Sequence, residues 1–183
     1  MSAGHGHDVD PSNKRIALLI SVLALVLALS ETLGKSTQTD ALGANIEATN
    51  LWAFFQAKSI RQTTVRTAAE GMAAQPALGE AGRKQVEAWN KTADRYQSEP
   101  ETGEGRKELA DRAKAAETRR DRLLAAYHQY ELASAAVQIA IVLASASIVT
   151  GMAALASASM GLGAVGIAFC LIGILAPTAV HLF

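Results

Sequence analysis

Two histidines and two aspartates near the amino terminus are the densest group of metal-ligand residue types in the sequence. Imidazole and carboxylate groups are competent ligands for divalent metal ions. These residues alternate with glycine on a chain terminus, where little preorganises a ligand set. We therefore interpret residues 1–13 as a disordered, histidine-containing tail rather than a weak metal site, and we predict no metal centre. The four residues are His5, His7, Asp8 and Asp10.

Three glycines, Gly161, Gly163 and Gly166, have the spacing of the dinucleotide-binding motif. That motif binds a pyrophosphate only when a strand precedes it and a helix follows it within a βαβ unit. No strand pattern precedes these glycines, and the residues around them are apolar. The spacing is typical of an apolar helix, and we predict no nucleotide cofactor.

No catalytic group emerges from the remaining residues. His128 and His181 have no partner at a useful spacing, and most serines lie in apolar runs. The 17 basic residues balance 17 acidic ones, which indicates neither a nucleic acid nor an acidic substrate. The only cysteine, Cys170, excludes an intramolecular disulfide. The sequence predicts a protein that is not an enzyme and has no cofactor.

An aromatic cluster, Trp52, Phe54 and Phe55, lies in a segment that is otherwise polar. At roughly 100° per residue, Trp52 and Phe55 share one side of a helix while Phe54 points away from both. We expect Trp52 and Phe55 to pack within the subunit against returning helices, with Trp89 and Tyr96 as candidate partners. We expect Phe54 to lie at a contact between subunits.

The elements that carry these residues include three long apolar runs. No Asp, Glu, Lys or Arg occurs from residue 132 to residue 183, which is long enough to cross a bilayer twice. A turn between the two crossings is expected in the Gly- and Ser-rich residues 151–163. A third run follows Lys14 and Arg15. The predicted transmembrane helices are residues 14–33, 132–152 and 160–181.

The first apolar run has an alternative interpretation as a cleaved secretory signal. Lys14 and Arg15 precede it, and it ends in Ala-Leu-Ser, a pattern found at cleavage sites. We favour a retained anchor, because Glu31 can extend its carboxylate to the membrane surface and let Thr32 and Leu33 lengthen the span.

The polar segment, residues 34–131, carries most of the charged residues and is predicted to stand outside the lipid. Helix-forming residues continue to Gln75 before Pro76, which predicts a rod of roughly 90 Å when joined to the first span. A shorter helix follows at residues 80–97, and residues 98–105 break it. A last helix begins near Arg106 and runs into the second span. No strand pattern occurs, so we predict an all-helical polytopic membrane protein with an extramembrane helical rod or hairpin.

Residues of similar character recur every three or four positions along the predicted helices, which places them on one face of each helix. In the polar segment the repeat forms a heptad-like stripe, which indicates helix pairing of the coiled-coil type. In the spans the repeat consists of small residues, which permit close packing within the chain or against a neighbouring subunit. The stripe is Leu109, Ala113, Ala116, Arg120, Leu123 and Tyr127, and the candidates in the spans are Ala136, Ala140, Ala144, Gly163, Gly166 and Gly173.

Three polar residues, Ser134, Gln138 and Ser145, lie near one side of the second span. Polar side chains within a membrane mark either a pathway or a contact between helices. We favour a hydrogen bond between helices over a pore lining.

Residues 51–61, LWAFFQAKSIR, resemble an uncharacterised bacterial membrane-protein family, domain of unknown function 4337. The same order of a histidine-bearing tail, a first span, a charged helical middle and two closing spans extends the resemblance over most of the chain. The resemblance implies a bacterial inner-membrane location. It implies no activity, and no role for the matching residues Trp52, Phe54, Phe55, Gln56 and Lys58.

Our leading functional hypothesis is a homo-oligomeric scaffold that organises the membrane, in contact with lipid and with other copies of the chain. The alternatives are an oligomeric pore or transporter-like pathway, and an accessory subunit of a larger complex with an unidentified membrane partner. The basic residues Lys35, Arg119, Arg120 and Arg122 favour a cytoplasmic polar segment, although Lys14 and Arg15 oppose export of the tail.

Overall fold

The computed structural model of the chain describes residues 11–179, and their side chains from residue 13. Across these residues the chain is built from helices, and no strand occurs among them. Three of the helices, α1, α3 and α4, are long and apolar enough to cross a membrane. The predicted all-helical fold class is thereby confirmed, whereas the histidine-containing tail and His181 lie outside the described residues. The helices are α1 (Pro11–Ala73), α2 (Glu80–Gln97), α3 (Arg106–Thr150) and α4 (Ala153–Leu175).

Helix α1 continues through Gly34 and Gly43, the two weak points in its sequence. A glycine in a helix interior costs only about 1 kcal/mol relative to alanine, and at Gly34 the close packing of Tyr130 against α1 offsets that cost. The helix ends just before Pro76, whose ring and missing N–H prevent continuation. Ala74 N donates the last helical hydrogen bond to Glu70 O at 3.0 Å.

The connection between α3 and α4 is shorter than the broad Gly- and Ser-rich turn expected from the sequence. Gly151 has a φ of +70° and reverses the chain with Met152, and α4 begins at Ala153. Only glycine adopts this left-handed conformation without steric cost. Helix α4 ends at Leu175, because Pro177 disfavours helical geometry at the residue before it. The predicted third span, residues 160–181, therefore overlaps this helix only as far as Leu175.

The chain forms two compact units. Among the described residues, the first consists of residues 11–40 together with residues 121–179, and the second is Ala41–Arg120. In the first unit, Leu23, Val137 and Ala140 form a buried cluster. Larger apolar side chains of α1, α3 and α4 pack against it. Gly166 lies so close to Val137 that an added Cβ would fall 2.5 Å from Val137 Cγ2. Close backbone approach is therefore the packing mode of this unit.

The second unit has its own core between α1 and α3. Ala48 and Leu51 of α1 pack against Leu109, Ala113 and Ala116 of α3. The α3 residues are the first three members of the predicted heptad-like stripe, and all three are buried.

Candidate functional site

A cleft between α1 and α3 lies within the first unit and has a volume of ≈ 360 Å³. Its lining residues recur at three and four positions along each helix, which places them on one face of α1 and one face of α3. We refer to this site as the α1–α3 cleft. It is lined by Ser30, Glu31, Gly34, Lys35 and Gln38 of α1, and by Tyr127, Tyr130, Glu131, Ser134, Ala135 and Gln138 of α3.

The two helices approach closely at the floor of the α1–α3 cleft. A Cβ added to Gly34 would lie 3.4 Å from Tyr130 Cβ, so the glycine allows the tyrosine to pack directly against the α1 backbone. Nearby, Gln138 Nε2 donates a hydrogen bond to Glu31 Oε1 at 3.3 Å. This bond joins residues that are 107 positions apart in the sequence. The cleft is thus fixed by packing at one point and by a polar contact at another.

Glu131 is held on the α3 side of the cleft by its neighbours on the same helix. Tyr127 Oη donates to Glu131 Oε1 at 2.6 Å, and His128 Nδ1 lies 3.3 Å from Glu131 Oε2. The hydrogen bond to the carboxylate raises the pKa of the Tyr127 hydroxyl, because the phenolate could not donate it. Glu131 therefore presents a carboxylate of fixed position.

Ser30 is the most unusual polar residue of the cleft. It is fully buried, and its Oγ forms no hydrogen bond with the described residues. A buried hydroxyl without a partner is costly and uncommon in native proteins. Lys35 also lines the cleft and is exposed. The cleft therefore combines a basic group, two carboxylates and an unsatisfied hydroxyl.

The three polar candidates from the second span have different positions. Ser134 and Gln138 both line the α1–α3 cleft, whereas the hydroxyl of Ser145 donates to Ile141 O of its own helix at 2.9 Å. Sequence reasoning missed Glu31 and Lys35 as members of this site. The available signal was their position directly after the apolar run of α1, at a four-residue spacing that places both on one helix face.

The second unit contains a cluster of buried polar side chains around Lys58. The Lys58 side chain is 8% exposed, and its Nζ lies 3.6 Å from Glu104 Oε2 and 3.9 Å from Glu99 Oε2. The same ammonium lies 5.4 Å from the ring centroids of Phe54 and Tyr96. Carboxylates and aromatic faces both favour a cation. The lysine is therefore buried with its charge compensated.

Gln62, one helical turn after Lys58, connects the three helices of the second unit. Its Nε2 donates to Ala93 O at 2.9 Å and to Gln97 Oε1 at 3.2 Å in α2. Its Oε1 accepts a hydrogen bond from Arg106 Nη1 at the start of α3. The Arg106 guanidinium also stacks 4.9 Å from the Phe55 ring centroid. Arg106 Nε is buried without a hydrogen-bond partner among the described residues. The other polar groups satisfy one another, and we interpret the cluster as structural.

Hydrogen bonds also fix the loop between α2 and α3. Arg95 donates to Glu99 Oε1 from Nη2 at 2.8 Å, which lowers the pKa of the Glu99 carboxyl. Ser98 Oγ donates to Glu108 Oε1 at 2.6 Å, and Glu99 N donates to Glu108 Oε2 at 3.1 Å. The Ser98 hydrogen bond is the main cause that lowers the pKa of Glu108.

The three aromatic residues of α1 have different environments. Trp52 and Phe55 are half-buried against the core cluster of the second unit, with ring centroids 5.4 Å apart and an edge-to-face geometry. Trp52 Nε1 also donates to Glu117 Oε1 of α3 at 2.9 Å. Helix α3 thus supplies the contacts that the sequence analysis assigned to Trp89 and Tyr96. Phe54 is more exposed, at 37%.

One face of α1 in the second unit is uncharged and exposed along its whole length. We call it the outer face, and it lies opposite the buried residues Ala48, Leu51 and Gln62. Thr49 and Thr64 donate their hydroxyl groups to carbonyl oxygens of their own helix, each at 2.9 Å, so their polarity is already satisfied. The outer face consists of Leu42, Ile46, Thr49, Ala53, Ala57, Ile60, Thr64, Thr67 and Gly71.

These features together define an all-helical protein whose α1, α3 and α4 are long and apolar enough to cross a membrane. The family model described as Domain of unknown function (DUF4337) matches residues 12–176, and the chain therefore belongs to this family. The family expected from residues 51–61 is thereby confirmed. No curated protein and no solved structure matches the chain. Between residues 13 and 179, no group of three or more His, Cys, Asp or Glu side chains is arranged to bind a metal ion.

Proposed function

We propose that this protein is a membrane-anchored scaffold that self-associates through the outer face of α1. Helices α1, α3 and α4 would anchor each copy, because every backbone polar group inside a helix is satisfied within the lipid. The second unit would then stand in water and pack against the same unit of other copies. The proposal assigns the protein a structural role and no catalytic step.

The exposed apolar side chains of the outer face are the observation that carries this proposal. Leu42 and Ile46 are each 60% exposed and Ile60 is 69% exposed, although they lie in a unit rich in charged residues. Burying a large aliphatic side chain gains about 1.5–3 kcal/mol relative to leaving it in water. A partner that covers the outer face therefore gains stability from several such residues.

The charge pattern favours a second copy of the chain as that partner. Copies anchored in one bilayer by the same segments run parallel, so identical residues of the outer face would meet one another. A charged residue on such a face would meet the same charge on the other copy, and the repulsion between them would weaken pairing. The outer face has none from Leu42 to Gly71, and its residues recur at the spacings of three and four that helix pairing requires.

We propose the bacterial inner membrane as the location, on the basis of the family, with the second unit on the cytoplasmic side. The basic residues Lys35, Arg119 and Arg122 near the ends of the apolar segments support that side. Labelling of single engineered cysteines from either side of sealed membranes measures this orientation directly.

Disulfide crosslinking in native membranes tests self-association. In a Cys170→Ala background, Ile60→Cys places one thiol on the outer face, and oxidation is expected to give a covalent dimer. Arg66→Cys is the matched control, because Arg66 is exposed on the same helix and projects about 120° away from Ile60 and from Phe54. We expect several-fold more dimer from Ile60→Cys than from Arg66→Cys.

Two results would contradict the proposal. One is an equal dimer yield from the two cysteine variants, which would indicate random collision. The other is a parent protein that is strictly monomeric in mild detergent at every concentration measured by mass photometry.

A further inference from the structure

We propose that the α1–α3 cleft binds a phosphoethanolamine group, with a membrane phospholipid as its source. The ammonium of this zwitterion would lie at Glu31 and Glu131, and its phosphate would lie at Lys35 and Ser30. This inference rests on the membrane insertion in the proposed function, and it is independent of self-association.

The size and the depth of the cleft suit a lipid head group. Its volume of ≈ 360 Å³ is within the range of about 300–1,000 Å³ that is usual for small-molecule sites. Ser30 ends the apolar run of α1, and Glu131 directly precedes the charge-free run of α3. In a membrane, polar side chains at the ends of two apolar segments lie at the level of the head groups.

The charges in the cleft match a zwitterion better than an anion. Glu31 Oε1 accepts the Gln138 amide, and Glu31 forms no ion pair with the described residues, so its second oxygen is available to an ammonium. Glu131 supplies a second carboxylate, and the ring of Tyr127 beside it can face a cation. An anionic lipid head group would be repelled by two carboxylates and attracted by only one lysine.

The buried hydroxyl of Ser30 is a second, independent indication of a ligand. It lines the cleft and has no hydrogen-bonding partner among the described residues. A phosphate oxygen is a strong acceptor that would satisfy this donor once binding parts the side chains that cover Ser30, and Lys35, five residues further along α1, would neutralise the phosphate charge.

The α1 surface below the cleft favours a lipid over a free metabolite. Leu27 and Ile20 lie one and three turns before Glu31, on the same face of α1, and both are partly exposed. An acyl chain that descends from a head group in the cleft would follow these side chains. A free phosphoethanolamine gains nothing from them.

Lipid binding to the full-length protein tests the site. Native mass spectrometry from mixed vesicles of phosphatidylethanolamine, phosphatidylcholine and phosphatidylglycerol would count the lipids that each protein particle retains. We expect about tenfold preference for phosphatidylethanolamine, because the trimethylated ammonium of phosphatidylcholine cannot donate to Glu31. The Glu31→Gln variant should lose this preference. Glu70→Gln, an exposed carboxylate of the second unit, should keep it.

The other results of these experiments distinguish the head-group site, the source of the ligand and membrane insertion. Equal retention of the three lipids, or a preference that survives both Glu31→Gln and Lys35→Gln, overturns the site. Soluble phosphoethanolamine that displaces the lipid at similar concentration supports the head-group chemistry and assigns a free zwitterion as the ligand. Protein that alkaline carbonate extracts from membranes overturns membrane insertion together with the lipid source, whereas protein that stays in the membrane without selectivity overturns the head-group site alone.

Discussion

The two units of the molecule rely to different degrees on small residues and on polar contacts to hold their helices together. In the first unit, small residues such as Ala140 and Gly166 allow backbones to approach, and polar groups collect in the α1–α3 cleft. In the second unit, buried Lys58 and Gln62 form the polar contacts between helices. Van der Waals packing between small residues works in lipid, where there is no hydrophobic force between helices. In water, a satisfied polar network also specifies which helices pair.

The largest expected effect is that of a bulky residue at the close approach in the first unit. Gly166→Val would drive its side chain into Val137 and towards Ala133 O, which lies 3.1 Å from the Cβ position. We expect destabilisation of about 3 kcal/mol, at the upper end for overpacked cores. Thermal unfolding of the detergent-solubilised protein measures this loss.

Gly161→Val is the control for that prediction, because nothing lies within 4 Å of a Cβ added at Gly161. It should change stability by less than about 0.5 kcal/mol, as exposed substitutions usually do. Similar unfolding temperatures for the two variants would show that close approach does not stabilise the first unit.

Alanine substitutions of the aromatic residues of α1 distinguish packing within the second unit from contacts between subunits. Trp52→Ala removes contacts with the core cluster and the hydrogen bond to Glu117. We expect it to destabilise the second unit by about 2 kcal/mol, less than the 3–5 kcal/mol of a fully buried aromatic, because Trp52 is only half-buried. Urea unfolding, followed by circular dichroism, tests this value.

Phe54→Ala is the matched variant two residues further along. We expect it to lower the stability of the oligomer while helicity and membrane insertion are unchanged, since Phe54 is 37% exposed. Phe54 projects about 120° from Ile60, so this contact would lie beside the outer face and not on it. If Phe54→Ala assembles and melts like the parent protein, its assignment to a contact between subunits is wrong.

A smaller effect is expected from breaking the polar network of the second unit. Gln62→Leu removes the hydrogen bonds to Ala93, Gln97 and Arg106. Each such bond contributes about 0.5–1.5 kcal/mol net, and the added apolar surface offsets part of the loss, so we expect about 1–2 kcal/mol. Gln85→Leu changes the same residue type at an exposed position of α2 and should be nearly neutral. Equal stability of the two variants would show that the network is dispensable.

The smallest effect concerns the pH dependence of the loop between α2 and α3. The Ser98 hydroxyl lowers the pKa of Glu108 from its ordinary value of 4.5, so this contact adds stability above pH 4.5 and loses it as pH falls through the lowered pKa. Ser98→Ala should raise the pKa of Glu108 towards 4.5, as measured by NMR titration. Its stability deficit should be constant above pH 4.5 and should shrink in more acidic solution. Ser36→Ala, at an exposed position, should leave this titration unchanged.

Much of the helical architecture could be predicted from local patterns. Pro76 and the turn-rich residues 98–105 separate helices in the structure as they do in the sequence. The broad turn expected before α4 was too long, because the conformational freedom of a single residue, Gly151, is sufficient to reverse the chain. The buried first half of the α3 stripe, Leu109, Ala113 and Ala116, was predictable because helical periodicity and residue size are local properties.

The α1–α3 cleft could be predicted only in part. The sequence identified Ser134 and Gln138 as polar residues in an apolar environment, and it identified the ends of the apolar runs. It did not associate Glu31 or Lys35 with them, because charged residues at the end of a span usually face solvent. The partners of Trp52 were also misassigned, since periodicity defines a face of a helix and not the helix that covers it.

The sequence by itself determined that the chain is helical, which segments are apolar enough to enter a membrane, and which side of each helix carries small or apolar residues. Composition and periodicity suffice for these properties, since each depends on neighbours within a few turns. Only the tertiary structure decided that Glu31 meets Gln138 and that Trp52 meets Glu117, across separations of 107 and 65 residues. These contacts depend on the register between helices, which many side chains set together through packing and hydrogen bonding.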